Sequence, residues 1–318
     1  MAGARGALVR WVLRGAVLAV LGLLLIRVGA APFLAGVQRL TVLAILTTVG
    51  LTAGATLLSA WRWTLVSRAL GSPLPLAAAV GSYYRSQLVN TVLPGGVAGD
   101  VERGLRTGGA AGRRLLGLRV AAWDRAAAQG VQLVVSAGVL LAFDTPLRPA
   151  GAVLGALLGA LTAGLLLAGR VRPGRQDGRL RRAAVALRQD LLGIVGRPRT
   201  LLLAVAASAL VALLHASVFV LAAVVAGAAF DPVRLLPLAI AVQVAMVAPV
   251  GFGGLGAREG TAAVAFAGAG LGAALGVTAA IAYGALALIA VLPGIVPLVL
   301  TRLRPSHPAR RAQEKVLG

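Results

Sequence analysis

The sequence contains no cysteine, two histidines, and only nine acidic residues against 31 basic ones. Without cysteine there are no disulfides, thiolate metal sites or cysteine nucleophiles. His215 and His307 form no HExxH motif, and a P-loop and a nucleophile elbow are also missing. Hydrolytic and metal catalysis therefore have no visible constellation, and no cofactor is expected. Charged residues of both signs make up 13% of the chain, where a soluble domain carries roughly a quarter.

Hydrophobic types fill 59% of the 318 positions. Uncharged runs at 40–60, 151–169, 201–230 and 260–301 each approach or exceed the length of about 20 residues that a membrane helix needs. An all-α polytopic membrane protein is expected, and a soluble enzyme is excluded. The net charge of +22 rests on arginine, since Lys315 is the only lysine. The arginines lie between apolar spans and not in one aromatic-studded patch, so anionic membrane lipid is the expected contact and nucleic acid is not.

Arginine clusters mark the cytoplasmic side. Arg5, Arg10 and Arg14 precede the first span, and Arg62 and Arg68 follow the second. Arg103, Arg106, Arg113, Arg114 and Arg119 form the next group, residues 170–199 the longest, and Arg302 to Lys315 the tail. The alternation puts both termini in the cytoplasm of a cell-membrane protein. The first segment has marks of a signal peptide, but Arg27 beside Val28-Gly29-Ala30 favours a retained anchor. Within 170–199, Leu180, Ala184, Leu187, Leu191 and Ile194 recur at helical spacing. Either an amphipathic helix on the inner leaflet or a solvated basic connector follows.

Two stretches break. In residues 74–106, Tyr83, Tyr84, Arg85, Gln87 and Asn90 interrupt an apolar helix before Pro94-Gly95-Gly96-Val97-Ala98-Gly99-Asp100-Val101-Glu102-Arg103. In residues 235–274 the break is Pro249-Val250-Gly251-Phe252-Gly253-Gly254-Leu255-Gly256-Ala257-Arg258-Glu259. Pro94, Gly96, Gly99 and Arg103 fall 155 positions before Pro249, Gly251, Gly254 and Arg258, and the flanking spans correspond at the same spacing. The charge pattern sends corresponding spans across in opposite directions. An inverted-topology repeat is expected, with halves at about 40–145 and 200–300 inside one integral-membrane domain, followed by a 302–318 tail. Substrate sites of such repeats lie at broken helices near the midplane.

Proline removes a backbone donor and glycine loosens the helix. The freed peptide groups survive only in protein or beside a watery cavity. A half-helix start suits an anion, and guanidinium fits phosphate in bidentate geometry. Arg103 and Arg258, with Asn90, Gly96, Gly99, Gly251, Gly253 and Gly254, are the candidate substrate-binding residues. The opposing reading is two tight turns whose arginines pair with Asp100, Glu102 and Glu259. Asp124 and Arg125, early in an apolar span, need partners, because a mid-membrane charge costs roughly 2.5–3.5 kcal/mol. As helix neighbours they point to separate ones. Asp100, Glu102, Asp124, Arg125 and Glu259 are the candidate gating or counter-ion groups. His215 is read as a packing histidine. Gly251-x-Gly253-x-x-Gly256 follows a helical run, not a strand, so it is no dinucleotide fingerprint.

The run from Asn90 to Arg103, the Asp124-Arg125 pair, the motif from Pro249 to Glu259 and the Arg62-Trp63 pair together resemble the lysylphosphatidylglycerol synthase transmembrane-region, or flippase-like domain, family. Ala98 stands where that family more often has glycine. The resemblance covers essentially the whole chain and implies handling of a phospholipid or polyprenyl-linked lipid. The sequence ends at Gly318, soon after the last span, so the synthases' aminoacyltransferase domain and activity are not expected. The leading expectation is a flippase-like transporter of an anionic or lipid-linked substrate. The alternative is a non-transporting scaffold for a membrane glycosyltransferase or lipid synthase, docked through residues 170–199.

Overall fold

In hydrocarbon a helix satisfies its backbone N–H and C=O groups within its own segment. Helix is accordingly the only regular structure among the residues that the computed structural model describes, which are 31–92, 96–110, 113–143, 145–168, 178–247 and 256–303. Residues 1–30, Pro94, Gly95, Pro249, Gly251, Gly253, Gly254, the 170–177 part of the basic loop and most of the tail fall outside them.

The order is α1 (Ala31–Gln38), α2 (Val42–Ala69), α3 (Leu76–Val92), α4 (Ala98–Ala110), α5 (Arg114–Ala142), α6 (Arg148–Ala168) and α7 (Gly178–Val195). There follow α8 (Pro198–Ala226), α9 (Pro232–Val247), α10 (Ala257–Gly268), α11 (Ala273–Val291), a short 3-10 turn and α12 (Ile295–Leu303). Val42–Ala69, Arg114–Ala142, Pro198–Ala226 and Ala273–Val299 are long and apolar enough to cross a bilayer. The Thr41 hydroxyl caps α2 by accepting the Ala44 N–H at 3.2 Å. Two expectations need correction. The 260–301 run is not continuous, because Gly270 and Gly272, with φ of 73° and 87°, turn the chain between α10 and α11. Arg62 does not follow its span but lies buried inside α2.

The order of α2–α5 is matched by α8–α11, with corresponding helices starting 156 to 159 positions apart. The pairings recur too. α2 packs on α3 and α5, as α8 does on α9 and α11; across the halves α5 meets α8 and α9, while α11 meets α2 and α3. The corresponding helices α2 and α8 also meet and run antiparallel. Arg39 donates to the Ala226 carbonyl, Arg62 to Ser208 and Arg197 to the Arg68 carbonyl, so partners descend along α8 as they ascend along α2.

Lipid tails are as apolar as leucine, so packing of small residues holds such helices together. A Cβ on Gly117 of α5 would lie 2.1 Å from the Gly104 carbonyl oxygen, which is how closely α4 rests on α5. The main apolar core lies in the second half, around Phe219, Ile240, Phe266 and Leu286. The first half keeps a smaller one around Trp63, Val66 and Tyr83. Leu43, Leu46, Leu157 and Leu202 point outward, as a lipid-facing surface requires.

Candidate functional site

The first break places polar side chains from four helices together. Asp124 of α5 is fully buried and holds three partners. Arg62 Nε reaches its Oδ1 at 2.9 Å, Arg103 Nη1 reaches Oδ2 at 3.1 Å, and the Tyr83 hydroxyl donates to the same Oδ2. Arg62 also donates to the Tyr83 hydroxyl at 3.0 Å and to Ser208 at 3.2 Å, which ties the knot to the second half. The Arg103 guanidinium lies 4.3 Å from the Trp63 ring centroid and 4.1 Å from that of Tyr83. Such cation–π contacts reach about 2 kcal/mol or more when desolvated.

Asp100, in the first turn of α4, is the second carboxylate. Its Oδ1 accepts from Ser86 and from Arg103 Nη2, both at 3.1 Å, and its Oδ2 from Asn90 at 3.3 Å and from Arg125. Asn90 closes the break by accepting the Gly99 N–H at 2.7 Å, and Arg125 donates to the Gly96 carbonyl at 3.0 Å. Gly96 takes φ of +58°, a left-handed conformation that favours glycine. A Cβ on Gly99 would sit 2.2 Å from the Ser86 carbonyl oxygen, so only glycine lets α4 start so close to α3. Glu102 pairs with Arg85 at 2.8 Å and more loosely with Arg106.

Arg62, Arg85, Arg103, Arg106 and Arg125 thus face Asp100, Glu102 and Asp124. The positive surplus sits toward the surface: Arg106 is exposed and Arg125 half-buried, whereas Arg62 and Arg103 are sealed. Beside Arg106, a groove of about 490 Å³ runs along the outer side of α4. Ala98, Val101, Leu105 and Gly109 form its apolar wall, and Glu102, Arg106 and Arg114 supply its charged groups.

The described residues that follow the second break make a different set of contacts. Glu259 is fully buried and accepts the Gly256 N–H at 2.6 Å and Arg258 Nε at 2.9 Å. The Arg258 guanidinium lies against Gly284, where a Cβ would come within 2.4 Å of Nη2. Arg103 and Arg258 share no described partner, and α4 and α10 each rest on the long helix of their own half.

Several sequence expectations are located by this geometry. Asp124 and Arg125 do take separate partners. Asn90, Gly96, Gly99, Asp100, Asp124 and Arg125 come together, with Glu102 on the groove side. Arg103 and Arg258 do not stand open to a headgroup as expected. They are 2% and 4% exposed, and carboxylates hold both. Arg62, Tyr83, Ser86 and Ser208 were missed as members of the knot. Arg62 carried a usable signal, an arginine two positions beyond the uncharged run 40–60, but it also read as a cytoplasmic marker.

No curated protein and no solved structure gives a significant match to the chain. The family model described as lysylphosphatidylglycerol synthase TM region matches residues 11–294. With that match and four helices able to cross a bilayer, the chain is a membrane protein and belongs to the lysylphosphatidylglycerol synthase transmembrane-region family.

Proposed function

We propose that the protein is a flippase-like transporter that passes an anionic phospholipid, or a lipid-linked saccharide with its phosphate, between leaflets of the cell membrane. The observation that carries this reading is the cationic surplus beside the α4 groove. Exposed arginines at a membrane surface attract anions, and a lipid phosphate is the anion a bilayer supplies. The groove's apolar wall suits an acyl chain while Arg106 and Arg114 meet the headgroup. The family name refers to the membrane region of a lipid-modifying synthase, which agrees with a lipid substrate. Antiparallel corresponding helices support an inverted repeat, the plan on which many transporters alternate access.

In this mechanism Arg62, Asp124 and Tyr83 are a fixed keystone. Arg103 and Arg258 position the half-helices, and Arg106, Arg114 and Arg125 are the groups a phosphate meets. Reconstitution into liposomes with labelled phosphatidylglycerol tests it. The intact protein is expected to accelerate appearance of label in the opposite leaflet. Arg106→Ala alone should slow it about tenfold, the scale of one lost charge-assisted hydrogen bond, and adding Arg125→Gln should slow it further. Wild-type movement no faster than in empty liposomes would defeat the proposal.

A further inference from the structure

Gln129 lies near the middle of the 29-residue span Arg114–Ala142. Arg125, Gln129, Gln132 and Ser136 follow one another along α5 at helical spacing, so they share one face. One turn before Gln129, Arg125 donates to the Gly96 carbonyl of the first break at 3.0 Å. One turn after it, the Gln132 carboxamide donates to the Gln243 carbonyl of α9 at 3.4 Å. Gln129 falls between these two anchors and has no hydrogen-bond partner among the described residues. Like Arg125 and Gln132, it is half-buried, so part of it stays accessible. A carboxamide carries donors and an acceptor, and lipid tails satisfy neither. Polar groups at such depth face a partner or a watery cavity. Val134, five residues on and 61% exposed, shows what the lipid side of the same helix carries.

We infer that α5, between the first break and α9, borders a water-filled cleft at mid-membrane in which Gln129 binds hydroxyl groups of a lipid headgroup. A carboxamide both donates and accepts, as a hydroxyl does, and it is uncharged. Arginine meets the phosphate; the neutral part of the headgroup needs a neutral partner, and Gln129 has its groups free. Gln132 and Gln243 do not share the role, because helix carbonyls already hold their amides. The ligand class is a lipid whose headgroup carries alcohol groups, of glycerol or of a sugar. This rests on the transporter reading and adds a station for the headgroup between the leaflets.

The absence of native cysteine lets single cysteines report water, since a thiol reacts as its thiolate. In phosphatidylcholine nanodiscs, Gln129→Cys should react with a charged, water-soluble methanethiosulfonate reagent, and Val134→Cys should stay inert. Phe230→Cys, in the exposed connection before α9, is the reactive control. Binding is then compared between the intact chain and Gln129→Leu. The probes are phosphatidylglycerol, phosphatidic acid with phosphate alone, and monoglucosyldiacylglycerol with hydroxyls alone. Gln129→Leu should weaken phosphatidylglycerol binding about fivefold, the scale of one neutral hydrogen bond, and leave phosphatidic acid unchanged. An equal loss for the glycolipid would show that hydroxyls suffice; a loss confined to phosphatidylglycerol would show that they are read beside a phosphate. Thermal stability should not fall, because no bond within the protein is removed. An inert Gln129→Cys beside a reactive Phe230→Cys overturns the cleft. An equal loss for phosphatidic acid, no loss for either hydroxylated lipid, or lower stability with unchanged binding overturns the role of Gln129. A reactive Gln129→Cys without translocation by the intact protein would defeat only the transport reading, and translocation with Gln129→Cys inert only the cleft.

Discussion

Asp124 decides the first half of the molecule. Two buried guanidinium groups and a phenol converge on it, and removing one partner of a buried ion pair costs about 3–5 kcal/mol because the other charge is stranded. Asp124→Asn should therefore lower thermal stability in detergent far more than Glu102→Gln, whose partners are partly exposed. Equal losses would show that the knot is not the keystone. Asp124 announced its need in the sequence, since an acid early in an apolar span requires compensation. Its partners were not legible there. Arg62 lies 62 positions away and Tyr83 lies 41 away, and only helix packing brings them together. Arg103 misled for a related reason: a lone arginine after a glycine break suggests a phosphate ligand, until the folded chain supplies Asp124.

At the scale of elements, the breaks were readable because proline, glycine and polar residues inside apolar runs have local consequences. α3 ends at Val92 and α4 begins at Ala98, as the motif required. For helix α7 we propose the interfacial reading over the solvated connector. Asp190 faces inward to Arg119 and the Trp123 indole, and Ile194 packs by the Trp63 cluster. Val185, Leu187, Leu191, Leu192 and Val195 remain exposed, with Arg188 among them. An outward apolar face with interleaved arginine suits the headgroup boundary of a bilayer. Since the chain lacks cysteine, single Leu187→Cys and Leu191→Cys variants can carry a fluorophore. Brominated lipids should quench both labels strongly, while aqueous iodide quenches them weakly. The opposite ranking would put α7 in water, where a protein partner becomes the better occupant.

For the whole molecule, the sequence spacing of 155 led to the expectation of an inverted repeat, and the described helices show a similar order of four in each half. What it did not anticipate is the asymmetry between the halves. Among the described residues, those after the second break hold a local Arg258–Glu259 pair over Gly284, while the first break's charges spread over α2, α3, α4 and α5 beside the α4 groove. Under the proposed function, the α4 groove is where lipid is expected to dwell. The most direct measurement is a cryo-electron-microscopy structure in nanodiscs containing phosphatidylglycerol. Phosphate density within hydrogen-bond distance of Arg106, Arg114 or Arg125, with an acyl chain along Val101 and Leu105, is the predicted result. A groove holding only disordered chains, with headgroups confined to the bilayer surface, would contradict it.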